Sequence, residues 1–227
     1  DDWSVLMASP TGGVVYVAGD LGVASWRDIA ALQDHQLVFA SQGITSLDLV
    51  PMLAFRVLGL DANYVFGYTG RHDGLEAMRL HEVNIDYQTT SAYLQNVAPM
   101  VAAGDAVPLF SWGIVDADGS VRRDPTFPDL PTLEELYEHL HGTQPSGPEY
   151  DAYRVFASAG FAAQKMLVLP GDTPPAIRET WLQAIRAARS DPEYIARAPA
   201  ILGAYQSLVG DDAQHLAASV TRIDDAT

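Results

Sequence analysis

Three segments of the chain are rich in the hydroxyls, glycines and helix starts that can bind a small charged molecule. They are Ser41 to Ser46, Gly67 to His72 and Asp86 to Thr90. Each follows an apolar run that predicts a buried strand and precedes a pattern that predicts a helix. The carboxyl ends of parallel strands lie along one edge of an open sheet, which is where ligands bind. We therefore expect the three segments to meet at one edge.

The polar groups of these segments suit a ligand that carries a carboxylate. Hydroxyls, glycine turns and helix N-termini supply N–H and O–H donors without a formal charge. Arg71 could add a charged contact, and Asp86 could orient a tyrosine, a water or a donor on the ligand. Similar residues also cap ordinary strand-to-helix turns, so the prediction depends on all three segments sharing an edge. The candidate ligand-binding residues are Ser41, Gly43, Thr45, Ser46, Tyr68, Gly70, Arg71, Asp86 and Thr89.

Common catalytic and metal-binding signatures do not occur in the sequence. No glycine-rich stretch precedes a Lys-Ser/Thr pair, and neither Gly-x-Gly-x-x-Gly nor Gly-x-Ser-x-Gly is present. Cysteine is absent, which excludes disulfides and thiolate zinc sites and suits an exported protein. His139 and His141 are two residues apart, so they point to different faces of a helix and cannot share a metal ion. We expect no catalytic residue, no metal and no cofactor.

The composition is that of an acidic globular protein. Acidic side chains outnumber basic ones by 29 to 13, and the formal net charge is −16. This charge disfavours nucleic acid and anionic membrane surfaces as partners, because their phosphates would repel the protein. No apolar run approaches the ~20 residues that span a bilayer, so direct membrane insertion is not expected. The chain starts at Asp1 without the features of a signal peptide, so we expect that a leader or a larger upstream piece was removed.

Alternating strand and helix patterns predict an α/β fold with a mostly parallel sheet. Gly59 and Gly104 are expected to end helices. A second set of predictions concerns the later part of the chain: a loop over Asp116 to Pro131, a capping box at Thr132 and Glu135, and further helix, strand and helix from Asp191 to Asp224. Between these regions, one helix is predicted to bury a stripe formed by Ile177, Trp181, Ile185 and Ala188.

Several short motifs occur in a fixed order along the chain. They are Ser41-Gln42-Gly43-Ile44-Thr45-Ser46 with Pro51, Gly67-Tyr68-Thr69-Gly70, Leu75 to Asn84, Phe127 to Glu135, Val168 to Pro174, and Ser190 to Tyr194. In this order and at these spacings they resemble the extracytoplasmic solute receptors of tripartite tricarboxylate transporters, the TctC/Bug-type proteins. The resemblance runs from about Trp3 to the C-terminus. Two positions depart from the family pattern: His81 stands where the family usually has glycine, and Asn84 where it often has aspartate.

The resemblance implies a type II periplasmic binding fold, with two α/β lobes, a hinge and an organic anion enclosed between the lobes. Residues 1–11 would lead in from the first lobe, 12–160 would form the second lobe, and 161–227 would return to the first. The N-terminal part of the first lobe would be missing from this chain. The implied function is the capture of a small organic acid in the periplasm for delivery to membrane permease subunits.

Two other functions remain open from the sequence. One is a small α/β hydrolase or lyase that uses Ser41 or Tyr68 with a histidine such as His72. The other is a sensory or partner-binding relative that no longer binds solute.

Overall fold

The structure, a computed structural model, describes residues 2–115 and 120–220. The predictions for the loop from Asp116 and for the chain end to Asp224 therefore fall partly outside the described residues. The strands are β1 (Trp3–Ser9), β2 (Gly13–Ala18), β3 (Leu37–Ser41), β4 (Ala62–Phe66), β5 (Ile85–Thr89), β6 (Ala106–Ser111), β7 (Ile114–Val115), β8 (Val121–Arg122), β9 (Lys165–Pro170) and β10 (Leu208–Val209). The α-helices are α1 (Leu49–Leu58), α2 (Arg71–Arg79), α3 (Thr90–Ala92), α4 (Ala98–Ala103), α5 (Leu133–His141), α6 (Pro148–Phe161), α7 (Pro175–Arg189), α8 (Pro192–Leu202) and α9 (Asp211–Val220).

Contacts divide the described chain into two compact units. The smaller unit comprises residues 2–11 and 158–220, and the larger unit comprises residues 12–115 and 120–157. Helix α6 starts in the larger unit and ends in the smaller one. Among the described helices, none combines the length and the apolar character needed to cross a bilayer.

The larger unit contains a five-stranded sheet with the order β4-β3-β5-β2-β6. Strand β3 pairs in parallel with both β4 and β5, so the parallel arrangement predicted for these three strands is confirmed. Strand β2 runs antiparallel to β5 and β6, which makes the sheet mixed. It enters from the edge at which β5 ends, since Gly13 pairs with Thr89. All six residues of β2 are buried, as expected for a strand covered on both faces.

Local sequence signals account for several helix ends. Gly59 and Gly104 follow α1 and α4 in the left-handed conformation, with φ of 71° and 85°, a conformation that glycine adopts without a Cβ clash. Thr132 and Glu135 form the predicted capping box at the start of α5. The predicted helix from Thr90 to Ala103 is also present, but a π-helical turn over Tyr93–Val97 separates α3 from α4.

The smaller unit contains an antiparallel sheet with the order β10-β1-β9. Helix α9 buries Ala213 and Ala217 beside Val5 and Ala8 of β1. Helix α7 packs Leu182 and Ile185 beside Leu6.

The buried stripe predicted for α7 is wrong at three of its four positions. Ile185 is buried, but Ile177 and Trp181 are 49% and 50% exposed, and Ala188 is exposed as well. The helix packs through a face rotated toward Leu182, which the predicted stripe did not contain. A second apolar face of α7 is therefore left uncovered by the described residues.

Candidate functional site

The three candidate segments lie beside one another at the carboxyl ends of β3, β4 and β5. Ser41 and Phe66, the last residues of β3 and β4, are paired in register. The backbone N–H groups of Gly67 and Tyr68 both donate to the carbonyl of Ser41, at 3.2 and 3.3 Å. We call residues 41–46, 67–72 and 86–90 the loop edge. The first two segments thus meet in the backbone. The third lies beside them, because β5 pairs in parallel with β3 and the Gln88 side chain donates to the Arg71 carbonyl.

Asp48 organises the first segment from a fully buried position. Its Oδ2 accepts hydrogen bonds from the Ser41 hydroxyl at 3.1 Å and from the Gln42 N–H at 2.7 Å. The Gly43 N–H donates to the Ser41 hydroxyl at 2.9 Å. The Ser46 hydroxyl donates to the Gly43 carbonyl at 2.7 Å. Ser41 and Ser46 therefore use their hydroxyls to shape the turn, and Ser41 is fully buried.

Arg71 points into the protein from the first residue of α2. One terminal guanidinium nitrogen, Nη1, donates to the Ala40 carbonyl at 2.8 Å and contacts Asp48 at 3.2 Å. The other, Nη2, pairs with Asp86 and donates to the Tyr87 carbonyl at 3.4 Å. The side chain is only 14% exposed. The positive charge predicted to face a ligand is therefore compensated by two buried carboxylates.

Asp86 lies inside β5, which extends to Thr89, so its predicted position in the following loop is wrong. Register with β2 explains the difference, because the pairing continues from Val17 and Ile85 to Gly13 and Thr89. Oδ2 of Asp86 accepts a hydrogen bond from the Tyr16 hydroxyl at 2.7 Å. Asp86 therefore does hold a tyrosine, as predicted, and that tyrosine is the buried Tyr16. Burial is the main cause that raises the pKa of Tyr16, and Arg71 opposes it in part.

Several donors at the loop edge remain open to a ligand. No described residue forms a hydrogen bond with the exposed Thr45 hydroxyl or with the backbone N–H groups of Arg71 and His72 in the first turn of α2. Thr89 caps α3 in an extended conformation without a side-chain cap bond. Gly70 precedes α2, and Tyr68 packs its partly buried ring against the core of the larger unit. The Thr45 hydroxyl and the N–H groups of Arg71 and His72 are uncharged donors, and such donors can bind a carboxylate.

Comparison with known proteins identifies the fold through structure rather than sequence. No protein-family model and no curated protein matches the chain. Among solved structures, the periplasmic binding protein BugD matches with a TM-score of 0.61 and 17% sequence identity, covering 96% of this chain and 64% of its own. An R. palustris protein with adipate gives 0.62 and 19%, covering 97% and 66%. MatC from Rhodopseudomonas palustris with bound malate gives 0.57 and 16%, covering 96% and 68%.

The chain has the fold of a periplasmic binding protein. The fold class predicted from the motif resemblance is confirmed, and the matched proteins are of the BugD, TctC and MatC type. The chain spans slightly less than two thirds of the length of the first structures it matches, BugD and the adipate complex. This agrees with the prediction that the periplasmic binding protein fold is incomplete in this chain.

The sequence patterns did not predict two residues that bond to the loop edge. Asp48 pairs with Arg71, and Tyr16 donates to Asp86. Asp48 lies directly before α1, where an acidic residue is an ordinary helix cap, and its buried contact with Arg71 depends on the fold. Tyr16 lies in an apolar strand, where a buried hydroxyl requires a hydrogen-bond partner. The tyrosine in Val14-Val15-Tyr16-Val17 and the aspartate in Ile85-Asp86-Tyr87 were therefore usable signals.

A cavity of about 540 Å³ lies at the other end of the sheet, away from the loop edge. It is lined by residues such as Gly19, Asp20, His81 and Gly104, and none of the predicted site residues contributes to it. Within residues 2–115 and 120–220, no group of three or more His, Asp or Glu side chains is arranged to hold a metal ion.

Proposed function

We propose that this chain belongs to an extracytoplasmic receptor that binds a small organic acid and delivers it to the permease of a secondary transporter. The observation that carries the proposal is the meeting of three strand ends at the loop edge, with open donors at Thr45 and at the start of α2. The periplasmic binding protein fold supports it, as do related structures solved with adipate and malate. In the receptor, residues 12–160 would form one lobe, and the remainder would contribute to the other.

The donors of the loop edge favour a carboxylate over a neutral ligand. Each charge-assisted hydrogen bond from an N–H or O–H group to a carboxylate contributes about 1.5–3 kcal/mol. The net charge of −16 opposes an anion at long range. At physiological salt, however, that field decays within about 8 Å, so the local donors dominate. Helix N-termini add a favourable partial positive charge.

The form of the hydrolase alternative that uses Ser41 as its nucleophile is disfavoured, because that side chain is not accessible. The Ser41 hydroxyl is buried and hydrogen-bonded to Asp48, and it also accepts the Gly43 N–H. A nucleophilic serine needs an adjacent base and access to substrate. The receptor function therefore explains the segment better than the catalytic one.

The test is binding to a panel of acids, measured with the full protein. Mono-, di- and tricarboxylates are screened by thermal shift, and hits are measured by isothermal titration calorimetry. We expect at least one acid to bind, and Thr45→Ala to weaken its binding by roughly tenfold or more, the effect of losing one hydrogen bond worth about 1.5 kcal/mol or more. Thr143→Ala, an exposed threonine outside the loop edge, is the matched control and should leave the affinity unchanged.

Two outcomes would contradict the proposal. A flat thermal-shift panel together with capture of a protein partner would favour the sensory alternative. An affinity that does not change in Thr45→Ala would remove the first segment from the binding site. Delivery to a permease is tested separately, by uptake of the bound acid into cells that carry or lack this protein.

A further inference from the structure

Arg71 connects the three segments of the loop edge, the first of them through Asp48, which accepts hydrogen bonds from Ser41 and Gln42. It belongs to the second segment, and its guanidinium bonds Ala40 and Asp48, which flank the first segment. The same group pairs with Asp86 and bonds the Tyr87 carbonyl in the third. The Gln88 side chain of the third segment in turn donates to the Arg71 carbonyl at 2.8 Å. The positions of the three segments are therefore linked through one residue.

The surrounding side chains hold the guanidinium in place and leave only 14% of the Arg71 side chain exposed. Its central carbon lies 5.1 Å from the centre of the Phe39 ring and 4.7 Å from that of Tyr87, so both rings contribute cation–π contacts. Nε, the one guanidinium nitrogen without a hydrogen-bond partner among the described residues, is itself buried.

A glycine in α2 provides the space that this arrangement needs. A Cβ at Gly74 would lie 3.1 Å from Nη2 of Arg71 and 3.4 Å from the Cβ of Ala40. Glycine is unfavourable inside a helix, so its occurrence there needs a packing reason. The close approach of the Arg71 side chain supplies that reason.

We propose that Arg71 is a positioning residue, which sets the relative positions of the three segments and does not contact the bound acid. Its single positive charge faces two fully buried carboxylates, so it is not available to a ligand anion. The acid would then be held by the uncharged donors of the loop edge. The inference is tested in two ways. The test by ligand binding, the ligand arm, rests on the proposed function. The test by hydrogen exchange, the structural arm, requires no ligand.

The structural arm is hydrogen–deuterium exchange on the full protein, comparing Arg71→Lys with wild type. Lysine keeps the charge but cannot bond both neighbouring segments at once. We expect backbone exchange to become at least tenfold faster in all three segments together. Arg79→Lys is the matched control, because Arg79 lies on the same helix and pairs only with exposed Glu76 among the described residues. Faster exchange in residues 67–72 alone, or none at all, would overturn the proposal.

Gly74→Ala tests the same idea in a variant that should fold. Alanine favours the helix, so a purely local effect would slow exchange in α2 and leave the other segments unchanged. Displacement of the guanidinium by the new Cβ predicts faster exchange in the first and third segments instead. Slower exchange throughout would contradict the positioning role. If Arg71→Lys fails to fold, the double variant Arg71→Gln with Asp48→Asn is measured in its place. This double variant keeps the net charge of the cluster formed by Arg71, Asp48 and Asp86.

The ligand arm uses adipate and its uncharged diamide, adipamide, as probes. A positioning role predicts that Gly74→Ala weakens both probes by the same factor, at least fivefold, at a temperature where the variant is fully folded. Direct contact of Arg71 with a carboxylate predicts a loss confined to adipate, which would overturn the proposal. Absence of adipate binding to the wild type would count against a dicarboxylate ligand for the proposed receptor, while the exchange measurements would still decide the role of Arg71.

Discussion

Tyr16 and Asp86 face each other across β2 and β5, and the Tyr16 hydroxyl donates to the Asp86 carboxylate at 2.7 Å. Both side chains are fully buried. Because Asp86 also pairs with Arg71, the antiparallel pairing of β2 connects the centre of the sheet to the loop edge. The buried polar groups thus form a continuous network from Tyr16 to Asp48.

Removing the Tyr16 hydroxyl should destabilise the protein. Tyr16→Phe leaves a buried carboxylate without one of its donors, which costs about 1–3 kcal/mol. Urea unfolding followed by circular dichroism measures the change. Tyr150→Phe is the matched control: its hydroxyl bonds Glu134 at 2.9 Å in a partly buried position, and we expect a loss below about 1 kcal/mol. Equal losses in both variants would contradict the importance assigned to the buried pair.

Alkaline pH should unfold the protein through its buried tyrosines. Burial raises the pKa of Tyr16 and of Tyr87, and raises the pKa of Tyr93 to about 12. An unfolded tyrosine ionises near pH 10, so above that pH the unfolded state binds fewer protons than the folded state. Stability should therefore be fully present below about pH 10 and fall as the pH rises toward the folded pKa values.

The measurement is the free energy of unfolding as a function of pH in wild type and in Tyr16→Phe. The variant lacks one of the ionising groups, so its stability should fall less steeply above about pH 10. Parallel curves for the two proteins would show that Tyr16 does not contribute to the alkaline transition.

Asp48 should contribute more to stability than an exposed acid with the same kind of partner. Asp48→Ala removes a fully buried carboxylate that accepts from Ser41 and Gln42 and pairs with Arg71, and breaking such a buried pair costs about 3–5 kcal/mol. Glu149→Gln, which disrupts the exposed pair with Arg56, should cost no more than about 1 kcal/mol. Chemical unfolding of both variants provides the comparison, and a loss below 1 kcal/mol for Asp48→Ala would contradict the network.

The edge on which the candidate segments meet could be predicted because it follows from local patterns. Strand, turn and helix repeat three times, and consecutive parallel strands bring their carboxyl ends together. The sequence patterns also correctly predicted the helix ends at Gly59 and Gly104, since a glycine in the left-handed conformation is a local requirement.

The inward direction of Arg71 could not be predicted in the same way. It depends on β3 lying between β4 and β5, which brings Asp48 and Asp86 to opposite sides of one guanidinium. No local pattern specifies that order of strands. The ligand roles of the candidate residues likewise stay predictions. Thr89 makes no side-chain cap hydrogen bond, and no described residue forms a hydrogen bond with the Thr45 hydroxyl.

The prediction for α7 failed for a different reason. Periodicity locates an apolar face but does not say what covers it. Ile177 and Trp181 satisfy the helical period, yet the sheet of the smaller unit contacts the adjacent face through Leu182 and Ile185.

His81 should be replaceable by glycine with a gain in stability. It has a φ of 57°, the only positive value at a non-glycine position among the described residues, and it follows the C-terminus of α2. A side chain in the left-handed conformation costs about 1–2 kcal/mol, and glycine removes that cost while adding about 0.5–1 kcal/mol of unfolded-state entropy. The exposed contact with Asp20 at 3.6 Å adds little. We therefore expect His81→Gly to raise the free energy of unfolding by about 0.5–1 kcal/mol in urea titration. His35→Gly, at a φ of −102°, is the control and should lower the free energy of unfolding. A loss of stability in His81→Gly would contradict the prediction, because it would mean that a contact of the histidine side chain outweighs the strain of its backbone.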